Sequence, residues 1–291
     1  MSAMSPASEL EPFPRPRVGL ALSGGGARGL AHIGVLDVLE QAAIPVHCLT
    51  GTSMGGLIAA AYAAGMSPSQ IIQEAMDRGR WRRLLRLADP GLSGGGVLQG
   101  RRLLAYFESQ FGQLTFADLH LPLALIAVDL NHRREVILRD GLVAMALRAT
   151  VAIPGLLAPV IVGDQRLVDG GLLNSLPHDV ARQMGADIVI AVDVQPEPGR
   201  AAGRWQWRRR RIPGGLAATL GALSDALEAM MAANQERKLR ESPPDVLIRP
   251  QLPTTLSVFS GYNRVPELVA AGALATQAAL PAIRRLVSGG Y

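Results

Sequence analysis

The serine of a Gly-Thr-Ser-Met-Gly segment, residues 51–55, has the sequence environment of a catalytic nucleophile. An apolar run at 46–50 predicts a strand before it, and a stretch of small residues predicts a helix after it. In such a nucleophile elbow the serine stands on a strained turn at the start of a helix, and side chains at Gly51 and Gly55 would collide with the flanking strand and helix. The alternative is a glycine-rich turn in which Ser53 only caps the helix.

A second glycine-rich segment also lies between a predicted strand and a predicted helix. It comprises Gly24, Gly25, Gly26, Ala27, Arg28 and Gly29. Its G-x-G-x-x-G spacing occurs in dinucleotide-binding folds, but these require an acidic residue about twenty positions further on, and residues 47–50 contain none. Beside a serine elbow, bare backbone N–H groups that approach the substrate closely are better suited to an oxyanion hole. Arg28 either pins this loop or meets a phosphate group, or it is an ordinary surface arginine.

A third motif supplies an acid. Asp169 is followed by Gly170 and Gly171, which predicts a tight turn that holds the carboxylate rigidly and lets it approach another loop. Taken alone, a common Asp-Gly turn with no catalytic role explains the motif better. It gains weight only beside Ser53, because a serine nucleophile needs a base.

The histidines are less convincing candidates for that base. Only His178 follows Asp169 in the chain order serine, acid, histidine, and its position after Pro177 at a predicted helix start favours a capping or surface role. His32 lies in a predicted helix near the glycine loop and is expected to be packed. An esterase that uses His178 remains an alternative, but the pattern favours direct proton transfer to a carboxylate. No histidine has a metal-binding spacing, so neither a metal nor a cofactor is predicted.

Apolar runs without alternation, separated by stretches of helical period, predict an α/β layered fold with a largely parallel sheet. The predicted strands cover residues 18–22, 46–50, 123–128, 136–138, 159–162, 187–194 and 246–249. We expect a disordered lead-in at 1–16, a catalytic core at 17–195 and a loop rich in Arg, Trp, Gly and Pro at 196–215. A C-terminal helical segment and the last strand, 216–291, then complete the domain.

Charge and cysteine content restrict the class of protein. The net charge is +5, and almost all of the positive charge is arginine, because Lys238 is the only lysine. The excess is modest and local, so no nucleic-acid partner is expected. Cys48, the single cysteine, cannot form an intrachain disulfide and lies in a predicted buried strand. No signal peptide is recognisable in residues 1–17 and no apolar run reaches membrane-spanning length, so a cytoplasmic location is expected, peripheral at the inner membrane face where a membrane is contacted.

A basic and aromatic segment precedes a predicted helix at 216–239. It contains Trp205, Trp207, Arg208, Arg209, Arg210 and Arg211. Indole rings favour membrane interfaces and guanidinium groups favour anionic headgroups, so one hypothesis is peripheral contact with a membrane. The alternative, which the pattern favours slightly, is a solvated loop followed by a helix packed on the core.

Together, the three motifs resemble the patatin-like phospholipase family. They occur in the order glycine loop, Ser53 elbow and Asp169 turn, and the resemblance extends to residues 149–155, 159–160, 174–177 and 185–187. It covers about residues 17–195 and is greatest to stand-alone bacterial members related to the neuropathy target esterase type. The resemblance implies a three-layer α/β/α fold.

The resemblance also implies an activity. Ser53 would attack an ester carbonyl, Asp169 would act as the base, and backbone amides of residues 24–29 would hold the oxyanion. The protein would then be a serine lipid-acyl hydrolase that acts on a lipid or phospholipid acyl ester without a cofactor. An acyltransferase that uses the same acyl-enzyme and a non-catalytic lipid-binding module remain alternatives.

Two segments depart from the family pattern. Many relatives carry serine after alanine where this chain has Thr150-Val151, a change expected to affect packing more than chemistry. The second departure is Asn131-His132-Arg133 in place of a glycine-containing turn, and it is expected to be a loop variation only.

Overall fold

The computed structural model of the protein describes residues 16–77, 89–91, 96–195, 229–253, 256 and 261–289. The predicted lead-in, except for its last residue, lies outside the described residues. So does the 196–215 segment with Trp205, Trp207 and Arg208 to Arg211. The predicted domain boundaries and the membrane contact therefore stay predictions.

Within the described residues, ten strands form a sheet of eight strands and a separate pair. They are β1 (Val18–Leu22), β2 (Cys48–Gly51), β3 (Gly96–Leu98), β4 (Leu123–Asp129), β5 (Arg134–Leu138), β6 (Gly155–Leu157), β7 (Val160–Val162), β8 (Gln165–Asp169), β9 (Ile188–Val192) and β10 (Val246–Ile248). The main sheet has the order β10-β9-β1-β2-β4-β8-β7, with β5 also paired to β4. Strands β10, β9, β1, β2 and β4 pair in parallel, which confirms the predicted fold class.

Helices cover both faces of this sheet. They are α1 (Ala31–Gln41), α2 (Met54–Ala63), α3 (Pro68–Met76), α4 (Arg101–Phe111), α5 (Val143–Thr150), α6 (His178–Gln183), α7 (residues 229–241) and α8 (Val265–Val287). Large side chains such as Leu20 and Leu125 point from one face into the main core with α1, α2 and α8. Smaller ones such as Ala21 and Ala124 point from the other face towards α6 and α7. Because strand residues alternate between faces, one strand serves both cores, and the predicted three layers result.

Several short elements differ from the sequence-based expectation. Strand β3 is not among the predicted strands, and it pairs with β6. Strand β8 begins with Gln165 and Arg166, so no apolar run marks it. A capping box begins α3: the Ser67 side chain accepts from the Gln70 backbone N–H, and the Gln70 side chain accepts from the Ser67 backbone N–H. Cys48 is buried as predicted.

Helix α8 crosses α1 at very short range, and glycines make this approach possible. A methyl group at Gly34 would overlap the Val269 carbonyl oxygen of α8, and one at Gly272 would overlap the Ala31 carbonyl oxygen of α1. Helix α1 in turn packs on the sheet through Ile33 and Leu36. Among the described residues, no helix combines the length and the apolar character that crossing a membrane requires.

This crossing predicts a stability effect. Gly34→Ala should lower the free energy of unfolding by about 1–3 kcal/mol, because a side chain forced into a filled space displaces the backbone that surrounds it. Gln277→Ala, on the exposed side of α8, is the control and should change stability little. Chemical denaturation of both variants measures the difference. Equal stability of the two variants would contradict the close crossing.

Candidate active site

Strand β4 brings the serine and the aspartate together. Strand β2 pairs with its first half in parallel, with Gly51 opposite Leu125. Strand β8 pairs with its second half in the antiparallel sense, with Asp169 opposite Ala127. Strand β5 occupies the other edge of β4, so β2 and β8 share one edge and their carboxyl ends face each other. The residues that follow β2 and those that end β8 therefore meet.

Ser53 occupies a strained turn between β2 and α2. Its φ and ψ are 54° and −122°, a region that non-glycine residues rarely adopt. The predicted need for glycine on both sides is borne out by the packing. A Cβ at Gly51 would lie 2.6 Å from the Gly56 Cα, and one at Gly55 would lie 2.5 Å from the Ser23 carbonyl oxygen. Only a glycine at each place lets β1, β2 and α2 approach closely enough to hold the turn.

Thr150, the last residue of α5, fixes the Ser53 backbone. Its hydroxyl accepts a hydrogen bond from the Ser53 N–H at 3.0 Å and donates one to the Ile126 carbonyl oxygen of β4 at 2.6 Å. These two hydrogen bonds thus link the elbow to β4, the strand with which the Asp169 strand β8 pairs. The departure at Thr150 was expected to affect packing more than chemistry. Instead, threonine provides a hydroxyl that holds the serine, a role that any residue with a hydroxyl at this position could fill.

Asp169 is buried at the end of β8. Its carboxylate accepts a hydrogen bond from the Gly171 N–H at 2.8 Å, and the side chain of Ser53 lies close enough to lower its pKa. Burial raises the pKa of Asp169 to about 6, and the Gly171 N–H and the Ser53 side chain oppose that rise. The carboxylate is therefore a stronger base than an ordinary aspartate, and it lies next to a hydroxyl.

The glycine loop follows β1, and its residues 26–29 belong to a 3-10 helix, Gly26–Leu30. Its backbone donors divide into two groups. The Gly24 N–H donates to the Ser175 carbonyl oxygen at 2.9 Å, and the Arg28 N–H donates to the Gly25 carbonyl oxygen at 3.2 Å. Among the described residues, the N–H groups of Gly25, Gly26 and Ala27 have no acceptor. These three are the donors that the loop can offer to a ligand.

The sequence of this chain matches the model of a known protein family. Residues 20–182, more than half of the sequence, match the family model described as patatin-like phospholipase. The chain belongs to the patatin-like phospholipase family. This confirms the family predicted from the three motifs, and the matched range contains all of them.

Curated relatives of this patatin-like protein include bacterial and mammalian sequences. An uncharacterised NTE family protein of Mycobacterium tuberculosis is 36% identical over 179 residues, which cover 62% of this chain and 49% of that protein. Another from the same organism is 32% identical over 284 residues, which cover 93% of this chain and 47% of that protein. The chain thus spans about half the length of these two relatives. Patatin-like phospholipase domain-containing protein 6 of Mus musculus is 36% identical over 61% of this chain and 13% of its own length.

A solved structure shares the fold. VipD from Legionella pneumophila superposes with a TM-score of 0.55 at 13% sequence identity, over 95% of this chain and 67% of that chain. At this identity the likeness concerns the fold alone.

The histidines of this patatin-like protein are engaged elsewhere. His32 is buried as expected; its Nε2 donates to the Ser23 carbonyl oxygen at 2.8 Å, and burial lowers its pKa to about 4. His178 is also buried, so the predicted surface role is wrong. Its Nδ1 donates to the Leu176 carbonyl oxygen at 2.8 Å, and its Nε2 has no partner among the described residues. Neither ring nitrogen of His178 bonds to Ser53.

Arg28 and the 131–133 loop both make contacts within the described residues. Arg28 is buried, so it is not a surface arginine; its Nε donates to the Gly25 carbonyl oxygen at 3.3 Å and pins the loop. In the loop, His132 Nδ1 lies 2.5 Å from Asp129 Oδ2. This contact joins the loop to the end of β4. Burial of Asp129 opposes the hydrogen bonds, which nevertheless lower its pKa to about 2.

Across the described residues, no group of three or more His, Cys, Asp or Glu side chains is arranged to hold a metal ion.

Substitution of Thr150 tests whether its hydroxyl holds the Ser53 backbone. Thr150→Val keeps the shape of the side chain but leaves the Ser53 N–H and the Ile126 carbonyl oxygen without a partner. We expect a loss of about 1–3 kcal/mol of stability and a lower rate of Ser53 acylation, because an unpaired buried polar group carries its full desolvation cost. Thr150→Ser retains the hydroxyl and is the matched control. Chemical denaturation measures the change in stability, and the rate at which a fluorophosphonate probe labels Ser53 measures acylation. A valine variant that behaves like the serine variant would rule out the role of the hydroxyl.

Proposed function

We propose that this protein hydrolyses fatty-acyl esters of lipids, with Ser53 as the nucleophile and Asp169 as the general base. The observation that carries the proposal is the convergence of Ser53 with Asp169, a buried carboxylate whose pKa is raised to about 6. A base with a pKa near the working pH is suited to take a proton at neutral pH and to return it. Membership of a family described as patatin-like phospholipases supports a lipid ester as the substrate.

The reaction would proceed in two steps. Asp169 takes the hydroxyl proton as Ser53 Oγ bonds to the ester carbonyl carbon, and the alcohol part leaves with that proton. A water molecule then gives a proton to Asp169 and attacks the acyl-enzyme, after which the fatty acid leaves and Ser53 regains its proton. In both steps the carbonyl oxygen becomes negatively charged. We assign its stabilisation to the unpaired N–H groups of the glycine loop, chiefly those of Gly25 and Gly26.

Covalent labelling tests the nucleophile. A fluorophosphonate probe should attach to Ser53 in the native protein, as mapped by mass spectrometry. It should not attach in Ser53→Ala and should attach more slowly in Asp169→Asn, because an amide cannot accept the proton. Turnover of a soluble short-chain ester should follow the same order. Labelling without turnover would favour transfer of the acyl group to an acceptor other than water, whereas a folded protein that is not labelled at all would refute the proposed mechanism.

The pH profile tests the base. Because only the ionised carboxylate accepts a proton, kcat/KM for the ester should rise about tenfold per pH unit below pH 6 and level off above it. An aspartate with its usual pKa would place this limb about two units lower. A profile that stays flat down to pH 5 would contradict the assignment of Asp169.

The same pKa has a consequence for stability. Because the folded state holds the Asp169 proton more tightly than the unfolded chain does, this residue makes the free energy of unfolding fall as pH rises from about 4 to about 6. The full contribution is about 3 kcal/mol, from two pKa units at 1.36 kcal/mol each. Asp169→Asn removes this dependence, so the variant should become more stable relative to the native protein above pH 6.

A further inference from the structure

Gln195, which belongs to none of the three motifs, contacts the glycine loop from outside. It lies three residues beyond β9 and is half-buried. Its Nε2 donates to the Gly24 carbonyl oxygen at 2.9 Å and to Ser175 Oγ at 3.1 Å, and its Oε1 accepts from an Arg28 guanidinium nitrogen at 3.2 Å. The orientation of the amide follows from its partners, because a carbonyl oxygen only accepts hydrogen bonds and a guanidinium only donates them.

The hydrogen bond from Gln195 to the Gly24 carbonyl oxygen orients the Gly25 N–H, which is the first N–H of the loop without an acceptor among the described residues. A peptide unit is planar and trans, so the Gly24 C=O and the Gly25 N–H belong to one rigid plane and point in opposite directions. Holding the Gly24 oxygen at 2.9 Å therefore fixes the direction of the Gly25 N–H. Gly25 has no side chain to restrict that plane, so an external bond has to do so.

The next peptide unit is held in the same way. The Gly25 C=O shares its plane with the Gly26 N–H, and this oxygen accepts from Arg28 Nε at 3.3 Å and from the Arg28 N–H at 3.2 Å. Gln195 holds the Arg28 side chain in turn through its Oε1. One glutamine side chain thus contacts one peptide unit directly and the second through Arg28.

The position of Gln195 is itself fixed. Its backbone N–H donates to Asp193 Oδ1 at 3.0 Å, and the other oxygen of Asp193 accepts from Arg249 Nε at 3.1 Å. The intervening Val194 N–H donates to Ser23 Oγ at 2.9 Å, at the end of β1. The backbone that carries the Gln195 side chain is therefore held in place by hydrogen bonds.

We propose that Gln195 is a positioning residue for the oxyanion donors, which it orients by holding the carbonyl oxygens of the same peptide units. This inference rests on the proposed function. It predicts that Gln195 affects the rate of acyl transfer much more than substrate binding, because the donors act on the charge that develops in the transition state.

Gln195→Glu and Gln195→Met test this role. The glutamate retains an acceptor for Arg28 but presents an oxygen to the Gly24 carbonyl. The methionine has a similar length and removes all three side-chain hydrogen bonds. Since loss of a whole oxyanion donor costs about 10²–10³ in kcat, misdirected donors should lower kcat at least about tenfold with KM changed less than about threefold. The concentration of active sites is counted by complete labelling of Ser53, so that unfolded protein does not contribute. Gln251→Glu, an exposed residue after β10, is the control and should match the native protein.

A transition-state analogue separates positioning from a general structural role. A trifluoromethyl ketone forms a tetrahedral adduct whose oxygen uses the same donors, so its inhibition constant should rise by the same factor by which kcat/KM falls. Native kcat and inhibition in both variants, or a change in KM alone, would overturn the role of Gln195 while the proposed function stands. A native protein that neither turns over the ester nor labels at Ser53 would overturn both.

Discussion

The shared edge of β4 is the constraint on which the site depends. A strand offers one row of hydrogen-bonding groups on each edge, and here β2 and β8 divide one row between them. Because β2 runs parallel to β4 and β8 runs antiparallel, their carboxyl ends converge at Leu125 and Ala127. The residue between these two, Ile126, adds a third link, since its carbonyl oxygen accepts from Thr150. One stretch of β4 therefore positions the serine, the aspartate and the hydroxyl that holds the serine backbone.

Two features of the site are unfavourable on their own. Ser53 has a backbone conformation that costs of order 1–3 kcal/mol, and Asp169 is a carboxylate removed from water. Both persist because the surroundings leave them few alternatives: Thr150 holds the Ser53 N–H, and Gly171 donates to Asp169. The raised pKa is thus a direct consequence of burial, and the same burial that opposes ionisation makes Asp169 a stronger base than an exposed aspartate.

What the sequence could reveal was local. The elbow and the Asp169 turn each lie within a few residues, and the glycines at 51 and 55 are required by backbone contacts that their spacing already implies. The joining of these pieces was not predictable, because β8 lacks an apolar run and its antiparallel pairing with β4 is a long-range contact. Thr150 lay in a segment that the family resemblance marked, so a hydroxyl role could have been suspected there. No sequence pattern marked Gln195, since its partners in the glycine loop, Arg28 and Gly24, are 167 and 171 residues away.

A second circuit of hydrogen bonds closes the site from the side of α6 and α7. The Thr52 hydroxyl donates to the Asn174 carbonyl oxygen at 2.8 Å, which joins the residue before Ser53 to the segment after Asp169. The Asn174 side chain donates to Glu135 and Asp179, and these two carboxylates also share Lys238 of α7. Together with the β4 edge, the bond between Thr52 and Asn174 closes a ring that contains Ser53 and Asp169. Displacing Ser53 from Asp169 would require breaking this ring in two places, so the fold itself fixes their relative geometry.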